Sequence, residues 1–216
     1  MQPGMQAELD KVVAALGEFY ARETWLLEND LGERTLTHRF AVHLEKRFEG
    51  WDVDCNYDRL GERTLRLPKG SIVSTDDRLG KSIFPDIVVH RRAIPENLLA
   101  IEVRKATNHQ PPEHDQHKLR ALTDPHLWFA YRIGVFLVLG KNSAVSDVYV
   151  GGVIDQALSD WLAEGLKAAG LGWLSCRASW APRVSVAGLD GFNPHGARCC
   201  DCPAVRKYPA PTAAPR

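Results

Sequence analysis

The chain has 216 residues, of which 44% are hydrophobic and 25% are charged, a composition typical of a globular protein with a sizeable buried core. Its 27 Lys and Arg residues are balanced by 27 Asp and Glu residues, which excludes a histone-like protein held to nucleic acid by overall positive charge. The longest apolar run, residues 133–139, is much too short to cross a membrane.

The amino-terminal third of the chain is predicted to form two helices and a strand. Apolar residues recur at three- and four-residue spacing over residues 5–28 and 33–49, and Gly50 stands where a helix C-cap belongs. Residues 51–57 alternate apolar and polar side chains, which is the period of an amphipathic strand. Residues 58–82 are polar and contain glycine and proline, so we expect a long loop or an irregular hairpin there.

The rest of the folded region is predicted to combine four strands with two helices. The predicted strands cover residues 86–90, 98–104, 133–139 and 147–154. The predicted helices cover residues 113–122 and 155–169, the second with Asp155 as its N-cap. The resulting order predicts a mixed α/β domain with a central sheet.

Three segments of different composition divide the chain. Residues 1–175 are expected to form the single α/β domain. Residues 176–202 are weakly patterned and form an extension in this prediction. Residues 203–216 are rich in Pro and Ala, which predicts a disordered tail.

The first two strands after the long loop are predicted to pair as a hairpin, because the connector between them contains Pro95 and Asn97. If His90 lies opposite Leu98, antiparallel pairing places Val88 opposite Ala100. The same register brings Asp86 opposite Glu102, on one face of the hairpin, with Cβ atoms about 4.5–5.5 Å apart.

Two carboxylates at that distance repel each other unless a cation joins them. A hard divalent ion such as Mg²⁺ would satisfy both with oxygen ligands and would keep positions for water. The alternative is a solvated strand face on which Glu102 forms a surface ion pair with Arg104 or Arg91.

The hairpin carries two short motifs, Phe84-Pro85-Asp86 on its first strand and Ile101-Glu102-Val103-Arg104-Lys105 on its second. This pattern resembles the PD-(D/E)xK, or restriction-endonuclease-like, nuclease superfamily, in which Pro-Asp opens one strand and Glu-x-Lys ends its neighbour. Glu33, at the start of the second predicted helix, matches the Glu that often completes the family's metal site. The resemblance extends from about residue 33 to residue 140, and residues 33–38, 53–57 and 118–123 look like those of small bacterial members.

The resemblance implies a restriction-endonuclease-like core, in which helices flank a mixed sheet, and Mg²⁺-dependent hydrolysis of phosphodiester bonds, with Mn²⁺ able to substitute. It implies a nucleic-acid substrate, with DNA favoured, and endonuclease action. Asp86 and Glu102 would hold the metal, with the Val103 carbonyl close to it. Glu33 would orient a metal-bound water or bind a second ion.

One residue departs from the family pattern. Arg104 stands where the family usually has Lys. Its guanidinium group would contact the phosphate and help to stabilise its negative charge in catalysis, but it stays protonated, so it cannot act as a general base. Lys105 would need a bulge to reach the same face. Lys118, on the next predicted helix, is a candidate for a displaced lysine.

Two other functions therefore stay open. One is a nuclease fold that has lost catalysis and serves as a nucleic-acid-binding or regulatory subunit. The other is a protein-interaction module. Because the net charge is zero, nucleic-acid binding would depend on a local groove, a homodimer or a partner subunit.

Polar clusters elsewhere have competing interpretations. Cys199 and Cys202 would need a second ligand pair to hold zinc, and His195 and Cys176 lie at no familiar spacing, so free thiols are favoured. His114 and His117 would share a helix face, either as a metal site or as a polar surface near the active site.

Basic residues in the long loop would either contact a nucleic-acid backbone or be solvated. They are Arg59, Arg63, Arg66, Lys69, Arg78 and Lys81.

The chain is expected to be cytoplasmic. Its first residues lack the basic start and apolar stretch of a signal peptide, and its odd number of cysteines does not fit a disulfide framework.

Overall fold

The computed structural model describes residues 3–57, 59–60, 63–64 and 84–172. The helices in these ranges are α1 (Pro3–Glu28), α2 (Glu33–Glu45), α3 (Glu113–Thr123) and α4 (Gln156–Ala168). The strands are β1 (Asp52–Cys55), β2 (Arg59–Leu60), β3 (Arg63–Thr64), β4 (Ile87–Arg91), β5 (Glu96–Lys105), β6 (Ile133–Leu139), β7 (Ala144–Val150) and β8 (Val153–Ile154). None of these helices combines the length and apolar composition that a membrane span requires.

Six strands form one mixed sheet in the order β1-β4-β5-β6-β7-β8, while β2 and β3 pair separately. The central strands β5 and β6 are parallel, and every other neighbouring pair in the sheet is antiparallel. Parallel neighbours need a crossover connection, which α3 and its flanking segments supply. The predicted α/β class is therefore confirmed, as a six-stranded mixed sheet flanked by helices.

The two faces of the sheet pack against different helices. One face joins α1, α2 and α4 in a large apolar core, to which β5 contributes Leu99, Ile101 and Val103. The other face packs under α3, where Ala100 of β5 meets Leu119 of α3. Successive residues of a strand point to opposite faces, and a strand covered on both faces is buried along its length. The next residue of β5 on the α3 side is Glu102, which places a carboxylate inside the fold.

The hairpin of β4 and β5 confirms one of the three predicted residue pairs. The ladder begins with Ile87 opposite Ile101, so the predicted pair of Asp86 with Glu102 is not part of it. Val88 lies opposite Ala100, as predicted. A bulge between Val89 and His90 shifts the pairing near the turn, so His90 lies opposite Asn97 and the predicted partner Leu98 is wrong.

Two predicted boundaries are wrong for reasons of local geometry. The second helix ends at Glu45 with Lys46 as its C-cap, and Gly50 adopts its positive φ of 78° in the turn that follows. The strand predicted over residues 147–154 starts at Ala144 and stops at Val150, because positive φ angles at Gly151 and the next glycine reverse the chain into β8.

The cap of the last helix is confirmed, since the Asp155 side chain accepts a hydrogen bond from the Leu158 amide at 3.0 Å. The predicted extension, the tail and the cysteine cluster lie outside the described residues. So does most of the long basic loop, of which β2 and β3 are the described part.

Gly134 on β6 lets α3 lie close to the sheet. A Cβ atom added there would lie 2.9 Å from Thr123 Cγ2 and 3.2 Å from Tyr149 Cβ. We expect Gly134→Ala to lower the free energy of unfolding by about 1–3 kcal/mol in urea denaturation. The control is Gly17→Ala in α1, where nothing lies within 4 Å of the added Cβ, and which should stabilise by about 0.5–1 kcal/mol. A Gly134→Ala protein as stable as the wild type would contradict this close packing.

Candidate functional site

The site lies where β5 continues beyond the first residue of its partner strand β4. The pairing of the two strands begins with Ile87 opposite Ile101, whereas β5 runs on to Lys105. Beyond this point, no strand of the described residues pairs with that edge of β5, and its backbone amides bond to carboxylates. The Val103 amide donates to Asp86 Oδ2 at 2.8 Å. The Lys105 amide donates to Glu33 Oε1 at 2.9 Å, so acidic side chains take the place of the missing strand.

The same edge presents a backbone oxygen. Within a strand, the N–H and C=O groups of one residue point toward the same neighbour. Since the Val103 amide faces Asp86, its carbonyl oxygen faces the same side. Glu33, at the first turn of α2, also accepts a hydrogen bond from the Asn108 side-chain amide at 2.8 Å. Asp86, Glu33 and the Val103 carbonyl, which the resemblance assigns to one site, therefore lie along one edge of β5.

Glu102 is fully buried on the face of the sheet that α3 covers. Its Oε2 accepts a hydrogen bond from Lys118 Nζ at 2.5 Å. Its Oε1 is buried and has no hydrogen-bond partner among the described residues. Burial raises the pKa of Glu102 well above its ordinary value, and the Asp86 charge adds to this while Lys118 opposes it. A buried acceptor left unpaired is costly, so this oxygen is available to a cation or a hydrogen-bond donor.

Asp86 belongs to the same electrostatic unit. Burial raises its pKa, against the hydrogen bond from Val103 and the charge of Lys118, and the nearby carboxylates Asp115 and Glu33 raise it further. The charge of Asp86 in turn raises the pKa of Glu102.

Lys118 reaches this cluster from the second turn of α3 and is itself buried. Burial acts to lower the pKa of Lys118, but the charges of Glu102, Asp86 and Asp115 outweigh it, and the pKa is raised. These neighbouring carboxylates therefore favour the protonated form of Lys118. Lys118, which the sequence offered as a candidate for a displaced lysine, is thus the lysine that contacts Glu102.

Arg104 lies next to the cluster, and its guanidinium group binds the segment that leads into α3. Nη1 donates to the Pro111 carbonyl at 3.2 Å and to Asp115 Oδ2 at 2.9 Å, and Nη2 donates to the Gln110 carbonyl. These three contacts commit a buried side chain to positioning α3. The guanidinium group that was predicted to stabilise a phosphate is therefore already hydrogen-bonded within the protein.

The alternative considered from the sequence, a surface ion pair of Glu102 with an arginine, is wrong. Glu102 is buried and pairs with Lys118, whereas Arg91 pairs with Glu96 at 3.3 Å. Lys105 points away from the cluster, as expected without a bulge, and its Nζ lies 3.0 Å from Asp30 Oδ1.

Asp115 is the site residue that sequence reasoning missed. It lies one helical turn before Lys118, and its Oδ1 is 3.4 Å from Lys118 Nζ. An acid three residues before a lysine on a predicted helix is a usable signal for such a pair.

The donors at the site fit a hard divalent cation. Among the described residues, no group of three or more His, Cys, Asp and Glu side chains is placed to hold a metal ion. His114 and His117 therefore belong to no such group. Mg²⁺, however, is commonly held by one or two carboxylates with water completing its shell. The unpaired Glu102 Oε1, Asp86 and the Val103 carbonyl offer oxygen ligands of this kind.

No family model, curated protein or solved structure matches the chain.

Asp86 is expected to lower the stability of the metal-free fold. Its pKa in the folded protein lies above the ordinary value of 3.8, so its unfavourable contribution is absent below that pH and grows as the pH rises. Asp86→Asn keeps an oxygen that accepts from Val103 and removes the charge. In EDTA at neutral pH we expect a gain of about 0.5–2 kcal/mol in the free energy of unfolding, shrinking as the pH falls.

Asp54→Asn is the matched control, measured by the same denaturation series. Arg92 binds Asp54 through two hydrogen bonds and lowers its pKa, so this change should destabilise the protein at neutral pH. A loss of stability in both variants would mean that Asp86 serves the fold.

Proposed function

We propose that the chain is a divalent-metal-dependent nuclease that hydrolyses phosphodiester bonds at the Asp86 and Glu102 site. One observation supports this function most directly. A fully buried carboxylate, Glu102, keeps one oxygen without a partner among the described residues, while a charged lysine and a second carboxylate flank it. A fold maintains such a costly arrangement when a ligand completes it.

Asp86, Glu102 and the Val103 carbonyl would hold Mg²⁺, with Mn²⁺ as a substitute. When bound, the ion would supply a water with a lowered pKa and positive charge against the phosphate. Glu33 would orient that water from the neighbouring position on the strand edge. The hydrogen bond from Val103 to Asp86 holds the carboxylate in place before any ligand arrives, which reduces the reorganisation that catalysis requires.

Lys118 would take the role that the Glu-x-Lys lysine has in the PD-(D/E)xK superfamily, which the motif resembles. Its ammonium group would donate to a phosphate oxygen as negative charge develops there. Arg104 would act through Asp115 and the segment before α3, as a positioning residue.

The proposed substrate is nucleic acid, DNA in preference to RNA, cleaved internally. With a net charge of zero, the chain would bind it through a local groove, as a homodimer or with a partner subunit. The second candidate is a nuclease fold that has lost catalysis and binds nucleic acid or regulates a partner. This second candidate is favoured by one observation: Arg104 occupies the usual lysine position and is held there by three hydrogen bonds.

Cleavage assays test the proposal. Plasmid, linear duplex, single-stranded DNA and RNA would each be incubated with Mg²⁺, Mn²⁺ or EDTA. We expect metal-dependent cleavage by the wild type and rates lower by about 10²–10⁴-fold for Asp86→Asn, Glu102→Gln and Lys118→Met.

Lys167→Met is the control, because it removes an exposed lysine from α4, on the other face of the sheet, and should keep wild-type activity. Cleavage that survives the three site variants would refute this site. A folded wild type that binds nucleic acid without cleaving it would favour the second candidate.

A further inference from the structure

Lys118 lies between two carboxylates that differ in burial. Its Nζ is 2.5 Å from Glu102 Oε2, which is fully buried, and 3.4 Å from Asp115 Oδ1. The Asp115 side chain is 19% exposed. Its other oxygen accepts from Arg104 at 2.9 Å, so Asp115 is fixed in place while one oxygen still faces Lys118. The ammonium group therefore has a second acceptor within a short movement of its flexible side chain.

A buried carboxylate needs a cation when it is ionised, because leaving its charge unpaired inside a protein is strongly destabilising. In the structure, Lys118 is that cation for Glu102. A divalent ion on the unpaired Glu102 oxygen and Asp86 would supply the same charge compensation. It would also lie within a few ångströms of the ammonium group, and like charges at that distance repel strongly in a buried site.

We propose that Lys118 is a built-in competitor of the divalent ion, holding Glu102 when the metal is absent and moving to Asp115 when the metal binds. This deepens the proposed function, since it describes how the same site is loaded, and it rests on that site binding metal. The protein keeps a paired site without metal, at the expense of metal affinity. The role of Arg104 follows, because its planar fork holds Asp115 as the second acceptor while also binding two backbone carbonyls.

Calorimetric titration with Mg²⁺ and with Mn²⁺ tests this without any measure of activity. Lys118→Met should bind both ions more tightly than the wild type, by about tenfold or more, because the competitor is gone. Lys118→Gln is the second variant, since it keeps a donor for Glu102 and removes the charge. Lys167→Met should bind as the wild type does.

A double-mutant cycle with Asp115→Asn separates the exchange from general charge effects. Asp115→Asn alone should weaken metal binding by about tenfold, since displaced Lys118 loses its acceptor. In the Lys118→Met background the same change should alter metal affinity by less than about twofold, because Asp115 then has no lysine to accept. Equal effects of Asp115→Asn in the two backgrounds would overturn the exchange.

Thermal unfolding gives a second readout. Lys118→Met should unfold at a lower temperature than the wild type in EDTA, and saturating Mn²⁺ should raise its unfolding temperature by more than it raises that of the wild type. If the variant folds only with Mn²⁺ present, the same conclusion holds.

The failure of this proposal and that of the proposed nuclease are distinguishable. Nucleic-acid cleavage together with unchanged metal affinity in Lys118→Met and Lys118→Gln would overturn the competition alone. Tighter metal binding by these variants in a protein that cleaves nothing would overturn the nuclease alone. Absence of metal binding in the wild type and in both variants would overturn the competition and the metal site together.

Discussion

An ionised carboxylate in the middle of a sheet must have a cation within reach, and this requirement organises the α3 side of the molecule. Glu102 meets it through Lys118, which α3 carries across from the crossover between two parallel strands. The position of α3 is set in turn by Arg104, which binds the segment before the helix and its first turn. Gly134 completes the arrangement, because a larger residue there would push α3 away from the sheet. Charge compensation at one residue thus depends on contacts from three elements.

The strand edge beside Glu102 is equally specific. Because β4 begins only at Ile87, opposite Ile101, the later backbone amides of β5 are free to orient Asp86 and Glu33. Burial raises the pKa of Asp86 and of Glu102, which means that the folded protein bears a cost for their ionised forms. Sites for ligands commonly carry such a cost, whereas carboxylates that serve the fold alone are paired as Asp54 is with Arg92.

Strand alternation was enough to predict the pairing of Val88 with Ala100, since the period of two decides which residues of neighbouring strands share a face. The bulge at His90 was not predictable, because nothing in the alternation marks an extra residue. Lys118 was a candidate from its position on the next helix, but its contact with Glu102 depends on how the crossover packs. Arg104 was interpreted as a phosphate ligand because its real partners, two carbonyls and Asp115, lie in a segment without periodicity.

The location of a bound ion tests the central claim most directly. Crystals of the protein soaked in Mn²⁺ would be measured by anomalous diffraction, which identifies the ion by element and position. We expect one Mn²⁺ peak within coordination distance of Asp86, Glu102 and the Val103 carbonyl, and Lys118 Nζ hydrogen-bonded to Asp115. An unoccupied site at saturating Mn²⁺, with Lys118 still on Glu102, would contradict it.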